Sequence, residues 1–252
     1  MKDQNAALAL IDHIHQAFEN YLSKDWGFDS LRINFAGGEP LIYREQLLKI
    51  AEYCQSKGIR TSLITNASYL LAHQPDLSNF NIIGISIDAL DHESNVAIGR
   101  HDRQGNTLSI PALQNYLTDL KQNQPDLGIK INTVVNAVNW QQDMNDFIQT
   151  IAPYKWKVFK MLPVITDQLS VSDDEFQQFL ARHEALSTKI VSEDNSEMTE
   201  SYLMIDPNGR FYSNASTMIS GEYRYSSAIN DLGVMTALAE IDFDLGKFRA
   251  RY

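Results

Sequence analysis

The sequence of 252 residues carries a formal net charge of −11, with 44% hydrophobic and 21% charged residues, a balance that suits a chain able to bury one sizeable core. The acidic excess excludes wrapping a phosphate backbone, which needs a basic face, but leaves room for a local cluster of cations around a small anion. No stretch reaches the roughly 18 uninterrupted apolar residues of a membrane span, and the N-terminus lacks the basic-then-apolar order of a secretory signal. A cytoplasmic location is expected, with neither membrane nor nucleic acid as a partner. The single cysteine, Cys54, can form no internal disulfide and cannot alone bind zinc or a cluster, and reads as a helix-buried thiol.

In chain order, a helix is predicted over Ala6 to Ser23, where Leu8, Ile11, Ile14, Ala17, Phe18 and Leu22 recur at helical spacing. A strand follows at Leu31 to Phe35, then a helix at Arg44 to Lys57 with Gly58 behind it as a C-cap, then strands at Thr61 to Thr65 and Ile82 to Ile87. Leu108 to Gln122 reads as helix, Lys130 to Val135 as strand, Gln141 to Ile151 as helix and Trp156 to Leu162 as strand. The run Ser172-Asp173-Asp174-Glu175 opens a helix over Asp173 to Leu186, and Tyr202 to Ile205 reads as a last strand. Alternating strands and helices imply an α/β fold of parallel strands joined by right-handed crossovers. The pattern opens on a helix, so if it is regular a strand before that helix is expected and missing from the sequence. Ser213 to Gly221 is small and polar, as a surface loop would be.

Three strand ends carry polar chemistry. Ile33-Asn34-Phe35 runs into Ala36-Gly37-Gly38-Glu39-Pro40, the next strand ends in Thr65-Asn66-Ala67-Ser68, and the third in Ser86-Ile87-Asp88. Paired glycines let backbone approach a ligand, and ligands of parallel α/β sheets bind at the carboxyl ends of strands. Gly37-Gly38 with Pro40 also suits a plain strand–helix turn. Together the three edges resemble the S-adenosylmethionine site of radical SAM enzymes, which implies a partial (β/α)6 barrel. That resemblance implies that Gly37, Gly38 and Glu39 receive the methionyl ammonium, with Asn66, Ser68 and Ser86 near the carboxylate and ribose, and Arg100 also against the cofactor.

Period-two alternation puts Lys130 with Asn132, Lys155 with Lys157, and Arg32 with Asn34 on common strand faces. Such cations could snorkel to solvent or pair with acids such as Asp88; a polyanion would satisfy them all. Asn95 to Arg100, Lys130 to Asn136, Trp156 to Phe159 and Ser201 to Asp206 resemble viperin-like radical SAM enzymes, a likeness running from about residue 5 to about residue 214. It implies an antiviral-defence nucleotide dehydratase that converts CTP, UTP or GTP to the 3′-deoxy-3′,4′-didehydro nucleotide by 5′-deoxyadenosyl radical chemistry. It further implies a triphosphate and base against Arg32, Lys130, Asn132, Lys155 and Lys157, and Tyr202 as a hydrogen-atom or proton donor near the ribose. Tyr202 suits core packing equally. An electron donor such as a flavodoxin or ferredoxin is implied, as is a barrel over 1–212 covered by an extension over 213–252.

The sequence departs from that family at one point. The Cys-x3-Cys-x2-Cys loop that holds a 4Fe–4S cluster is absent, and no metal-binding residue is assigned in its place. Three readings stay open: a dehydratase completed by a segment ahead of Met1, a cluster-free nucleotide-binding relative, and a radical SAM enzyme with another substrate.

Overall fold

The computed structural model describes residues 3–163, 167–213 and 223–251. The chain divides into two compact units, one of Met1–Ile33, Leu48–Arg60 and Asn195–Tyr252, the other of Asn34–Leu47 and Thr61–Asp194.

The frame of the second unit is a six-stranded sheet in the order β1-β2-β3-β4-β5-β6. Its strands are β1 (Arg32–Phe35), β2 (Arg60–Thr65), β3 (Ile82–Ser86), β4 (Gly128–Val135), β5 (Lys155–Lys160) and β6 (Ile190–Glu193). The pairings from β2 through β6 are parallel. Sequential neighbours need a crossover at each step, and the helices Ser68–His73, His92–Ile98, Ile110–Asn123, Asn145–Ile151 and Asp173–Arg182 supply them.

β4 shows how the sheet divides its faces. Ile129, Ile131, Thr133 and Val135 are buried, while the alternate residues are half-buried. On the buried side the Trp156 indole N–H donates to the Thr133 hydroxyl at 3.0 Å, and that hydroxyl donates to the Ile87 carbonyl at 2.7 Å. The Trp156 ring lies 6.0 Å from Phe179 and 5.0 Å from His183, so this face packs against the helix Asp173–Arg182. Lys130 and Asn132 belong to the opposite face, as alternation requires.

The first unit has a separate core. The Asp3 carboxylate caps the helix Gln4–Ala17, accepting the Asn5 N–H at 2.8 Å. One wide turn over Phe18–Leu22 continues it. Leu10, Phe18, Leu22, Phe211, Ile229 and Ala237 form its apolar cluster. Beside these run antiparallel β7 (Met204–Ile205), β8 (Arg210–Ser213) and β9 (Arg224–Ala228).

This small sheet corrects the expectation for Tyr202 to Ile205. The segment contributes only Met204 and Ile205 to a strand, and that strand is antiparallel. The cause is the turn Asp206-Pro207-Asn208-Gly209, where the Asp206 carboxylate accepts the Asn208 N–H at 2.9 Å and Gly209 adopts φ 74°. The sixth parallel strand is Ile190–Glu193, which the sequence reading passed over. Gly58 takes φ 73° behind the helix Arg44–Ser56, and Ser172 with Glu175 forms the capping box. The expected surface loop lies, beyond Ser213, outside the described residues.

His183 is wholly buried. Its Nε2 accepts the Met144 N–H at 2.9 Å and its Nδ1 donates to the Phe179 carbonyl at 2.8 Å, so the neutral ring is the form that fits. Burial lowers its pKa from 6.5, against the opposing effects of the hydrogen bond to the Phe179 carbonyl and, after it, the charge of Asp143. The unfolded chain takes up a proton here that the folded chain refuses. The His183 contribution is therefore full above the ordinary value of 6.5 and is lost as pH falls below it. Melting temperature is expected to fall between about pH 7.5 and about pH 5.5. In His183→Gln, which keeps an acceptor for Met144, that fall should shrink, though the protein will be less stable at both values.

Candidate functional site

The carboxyl ends of β1 and β2 are joined through Glu39. Its carboxylate accepts the Thr65 hydroxyl at 2.8 Å, the Asn66 N–H at 2.9 Å and the Leu41 N–H at 3.1 Å. The acid thus cross-links two strand ends and caps the turn Pro40–Tyr43. Ahead of it Gly37 and Gly38 take φ 94° and 53°, and an added Cβ at either would meet nothing within 4 Å. Their backbone is exposed and open to a ligand. At the next edge the Asn66 Oδ1 accepts both the N–H and the hydroxyl of Ser68, at 2.9 and 2.6 Å. Ser86 ends β3 in register with Asn132 of β4.

Arg100 follows the helix His92–Ile98, where Gly99 turns the chain at φ 84°. Its Nε donates to the Asp88 carboxylate at 2.7 Å. Asp88 is 4% exposed and also accepts the Val134 N–H at 2.8 Å. The acid considered as a partner for the strand cations is therefore engaged by Arg100 and by the backbone of β4.

The cations gather on the face of β4 and β5 opposite Trp156. Lys130 pairs in register with Lys155, and Asn132 with Lys157, so three lysines and an asparagine occupy adjacent backbone positions on one face, with strands about 4.8 Å apart. The Asn132 Oδ1 is buried with no hydrogen-bond partner, which leaves an acceptor for a ligand. Lys157 is 9% exposed; its ammonium pairs with the Glu193 carboxylate and lies 5.5 Å over the Phe159 ring. Within the second unit the two clusters adjoin, because Ser86 of the first is the register partner of Asn132 of the second.

Two residues missed in the sequence complete this face. Gly84 sits on β3 beside Lys130, and a Cβ there would come within 2.5 Å of Ile64 Cδ1, 3.0 Å of Lys130 Cε and 3.1 Å of Asn132 Nδ2. Its missing side chain is the space into which Lys130 and Asn132 extend. A glycine inside an apolar strand was the available signal. Glu193 closes the other side, and no sequence pattern marked it. Arg32, exposed at the start of β1, and Tyr202, half-buried ahead of β7, belong to the first unit.

An iron–sulfur cluster of the Cys-x3-Cys-x2-Cys type needs three converging thiolates. Cys54 is the one cysteine, fully buried, with its thiol pushed up to about 12 by desolvation. Among the described residues no group of three or more His, Cys, Asp or Glu side chains could hold a metal ion. The residues present do not fit the cluster, whereas the open glycine backbone and the polar edges fit S-adenosylmethionine.

No protein-family model matches the sequence. The chain is 35% identical over 227 residues, 89% of its length and 75% of the relative's, to the S-adenosylmethionine-dependent nucleotide dehydratase of Psychrobacter lutiphocae. It is 35% identical over 236 residues to the enzyme of the same name from Pseudoalteromonas ulvae, covering 93% and 76%. The Siniperca chuatsi relative, named S-adenosylmethionine-dependent nucleotide dehydratase RSAD2, is 30% identical over 248 residues, covering 91% and 67%. In fold the chain is similar to native anSMEcpe with bound AdoMet and Cp18Cys peptide, with a TM-score of 0.60 at 13% identity, covering 99% of this chain and 74% of that one. It is also similar to Streptococcus suis SuiB bound to S-adenosylmethionine, with a TM-score of 0.53 at 14% identity, covering 86% and 56%. The fold is that of the radical SAM enzymes, and the identities extend along most of the sequence. The chain belongs to the viperin-like family of S-adenosylmethionine-dependent nucleotide dehydratases.

Proposed function

We propose that this chain binds a nucleoside triphosphate on the β4–β5 face and S-adenosylmethionine at the carboxyl ends of β1, β2 and β3, and serves the dehydration of that nucleotide. The observation that carries this reading is the set of Lys130, Lys155, Lys157 and Asn132 on one face of a chain whose net charge is −11. Ammonium groups crowded together are stabilised by a polyanion they can share. S-adenosylmethionine would supply the hydrogen-abstracting chemistry after one-electron cleavage, for which this chain itself holds no reductant. The chain's own share is to hold the triphosphate, to present the ribose next to the Ser86–Asn132 junction and to keep water away.

The substrate in this proposal is CTP, UTP or GTP, and the electron comes from a flavodoxin- or ferredoxin-type donor. The Gly37–Gly38 backbone takes the methionyl ammonium, with Glu39 fixing the loop, while Asn66, Ser68 and Ser86 meet the carboxylate and ribose and Arg100 lines the same cofactor site. Catalysis needs three thiolates that Cys54 cannot replace. The dehydratase reading therefore predicts in-frame codons for Cys-x3-Cys-x2-Cys ahead of Met1 in the coding DNA; a stop codon directly upstream would overturn it. A second reading is a cluster-free nucleotide-binding protein, under which the full-length protein binds nucleotide while anaerobic reconstitution leaves it without iron and sulfide.

Binding is testable on the chain itself. Saturating CTP, UTP or GTP should raise the melting temperature by about 5 °C or more, since ligand at about 100 times Kd adds roughly 2.7 kcal/mol. Lys130→Ala and Lys155→Ala should each weaken triphosphate binding about tenfold or more, as loss of a charge-assisted hydrogen bond does. No thermal shift with any of the three would sink the nucleotide reading.

Gly84→Ala is a separate check on geometry. The atoms it would meet are the ends of Ile64, Lys130 and Asn132 side chains, so the strand should survive while the binding groups move. A triphosphate Kd raised roughly tenfold, with a melting temperature near that of the parent, is expected by titration calorimetry and thermal unfolding. An unchanged Kd would show that Lys130 and Asn132 do not touch the ligand.

A further inference from the structure

The pair formed by Lys157 and Glu193 is the feature of the face that substrate binding alone leaves unexplained. Glu193 ends β6, one strand beyond the lysines, in register with Phe159. Parallel register and period-two alternation turn Glu193, Phe159 and Lys157 to the same side of the sheet. The side chains of Lys157 and Glu193 are 11% and 6% exposed. Burying both charges carries a desolvation penalty that two apolar side chains of similar size would avoid, so such a pair is weak as a source of stability. It does fix a flexible side chain: the Lys157 ammonium is held between the Glu193 carboxylate and the Phe159 ring, 5.5 Å from the ring centroid.

The charges around the pair give it a further consequence. Lys130 and Lys155 are register partners next to Asn132 and Lys157, so before any ligand arrives the face holds three like charges. Glu193 offsets the charge of Lys157. An arriving polyphosphate competes for that same ammonium, because a lysine has three donors and no acceptor.

We propose that Glu193 is a positioning residue that sets Lys157 in place and balances its charge, so that the polyphosphate of the ligand takes over an ammonium already held for it. The proposal deepens the nucleotide reading and rests on it. Its mark is that the carboxylate opposes phosphate binding electrostatically even while it orders the lysine. Removing its charge and keeping its shape should therefore tighten binding in proportion to phosphate charge.

The test compares the chain with Glu193→Gln, whose amide oxygen still accepts from Lys157, by calorimetric titration with inorganic tripolyphosphate, CTP, CDP and cytidine. Glu193→Gln is expected to bind tripolyphosphate and CTP about tenfold more tightly at low salt, CDP with a smaller gain and cytidine with none. The gain should shrink as salt is raised and vanish in the double variant Lys157→Met with Glu193→Gln. A purely structural carboxylate would instead lower the melting temperature and leave affinity equal or weaker. Parent binding with an unchanged or weakened Glu193→Gln, or a gain that persists in the double variant, would overturn this role alone. A folded parent that binds neither tripolyphosphate nor CTP would overturn the nucleotide reading and this role with it.

Discussion

The placing of Lys130, Lys155 and Lys157 at adjacent register positions on one face is the constraint that the neighbouring strands of the second unit accommodate. Two ammonium groups held at a strand spacing of about 5 Å would repel by roughly 3 kcal/mol at an effective dielectric near 20. The neighbouring strands relieve this in different ways. β3 has no side chain at Gly84, so Lys130 can lean over it and away from β5. β6 brings Glu193 to Lys157. The face is spread open on one side and neutralised on the other, while Trp156, Thr133 and Phe179 close the reverse of the same strands. A sheet packed by helices on one side can carry cations on the other only because the two side-chain sets alternate along each strand.

The acids follow a second pattern. Glu39 and Asp88 both sit at carboxyl ends of strands, and both spend their oxygens on backbone N–H groups and on one polar side chain. They tie β1 to β2 and β3 to β4 at the edge where a ligand approaches. A carboxylate that accepts several hydrogen bonds from neighbouring loops fixes those loops more firmly than an apolar contact would. Beside this wiring the glycine pair, at φ 94° and 53°, leaves its backbone exposed.

Much of the second unit was legible because its signals are local and periodic. β-branched runs gave five of its strands, helical spacing gave the long helices, and Gly58 and Ser172 marked their ends. The short strand Ile190–Glu193 and the helices Ser68–His73 and His92–Ile98 were missed because a few residues display too little of either period. Tyr202 to Ile205 misled because two apolar residues before a turn look alike whether their partner is parallel or antiparallel. The basic face was readable from alternation within single strands. Glu193 was not, because its meeting with Lys157 depends on a pairing between β5 and β6 that joins residues 36 positions apart. Gly84 was hidden for a related reason: its importance lies in what Lys130 and Asn132 do one strand away.

The basic face and the one cysteine are physically separate features. Cys54 lies in the helix Arg44–Ser56, fully buried, with a thiol that burial holds in its protonated form at neutral pH. None of the interactions that order Lys157, open space for Lys130 or fix Glu39 involves a thiolate. They arise from parallel register, from one missing side chain and from hydrogen bonds between adjacent loops. The arrangement of charge on this face is therefore a property of the sheet itself, set without any thiolate.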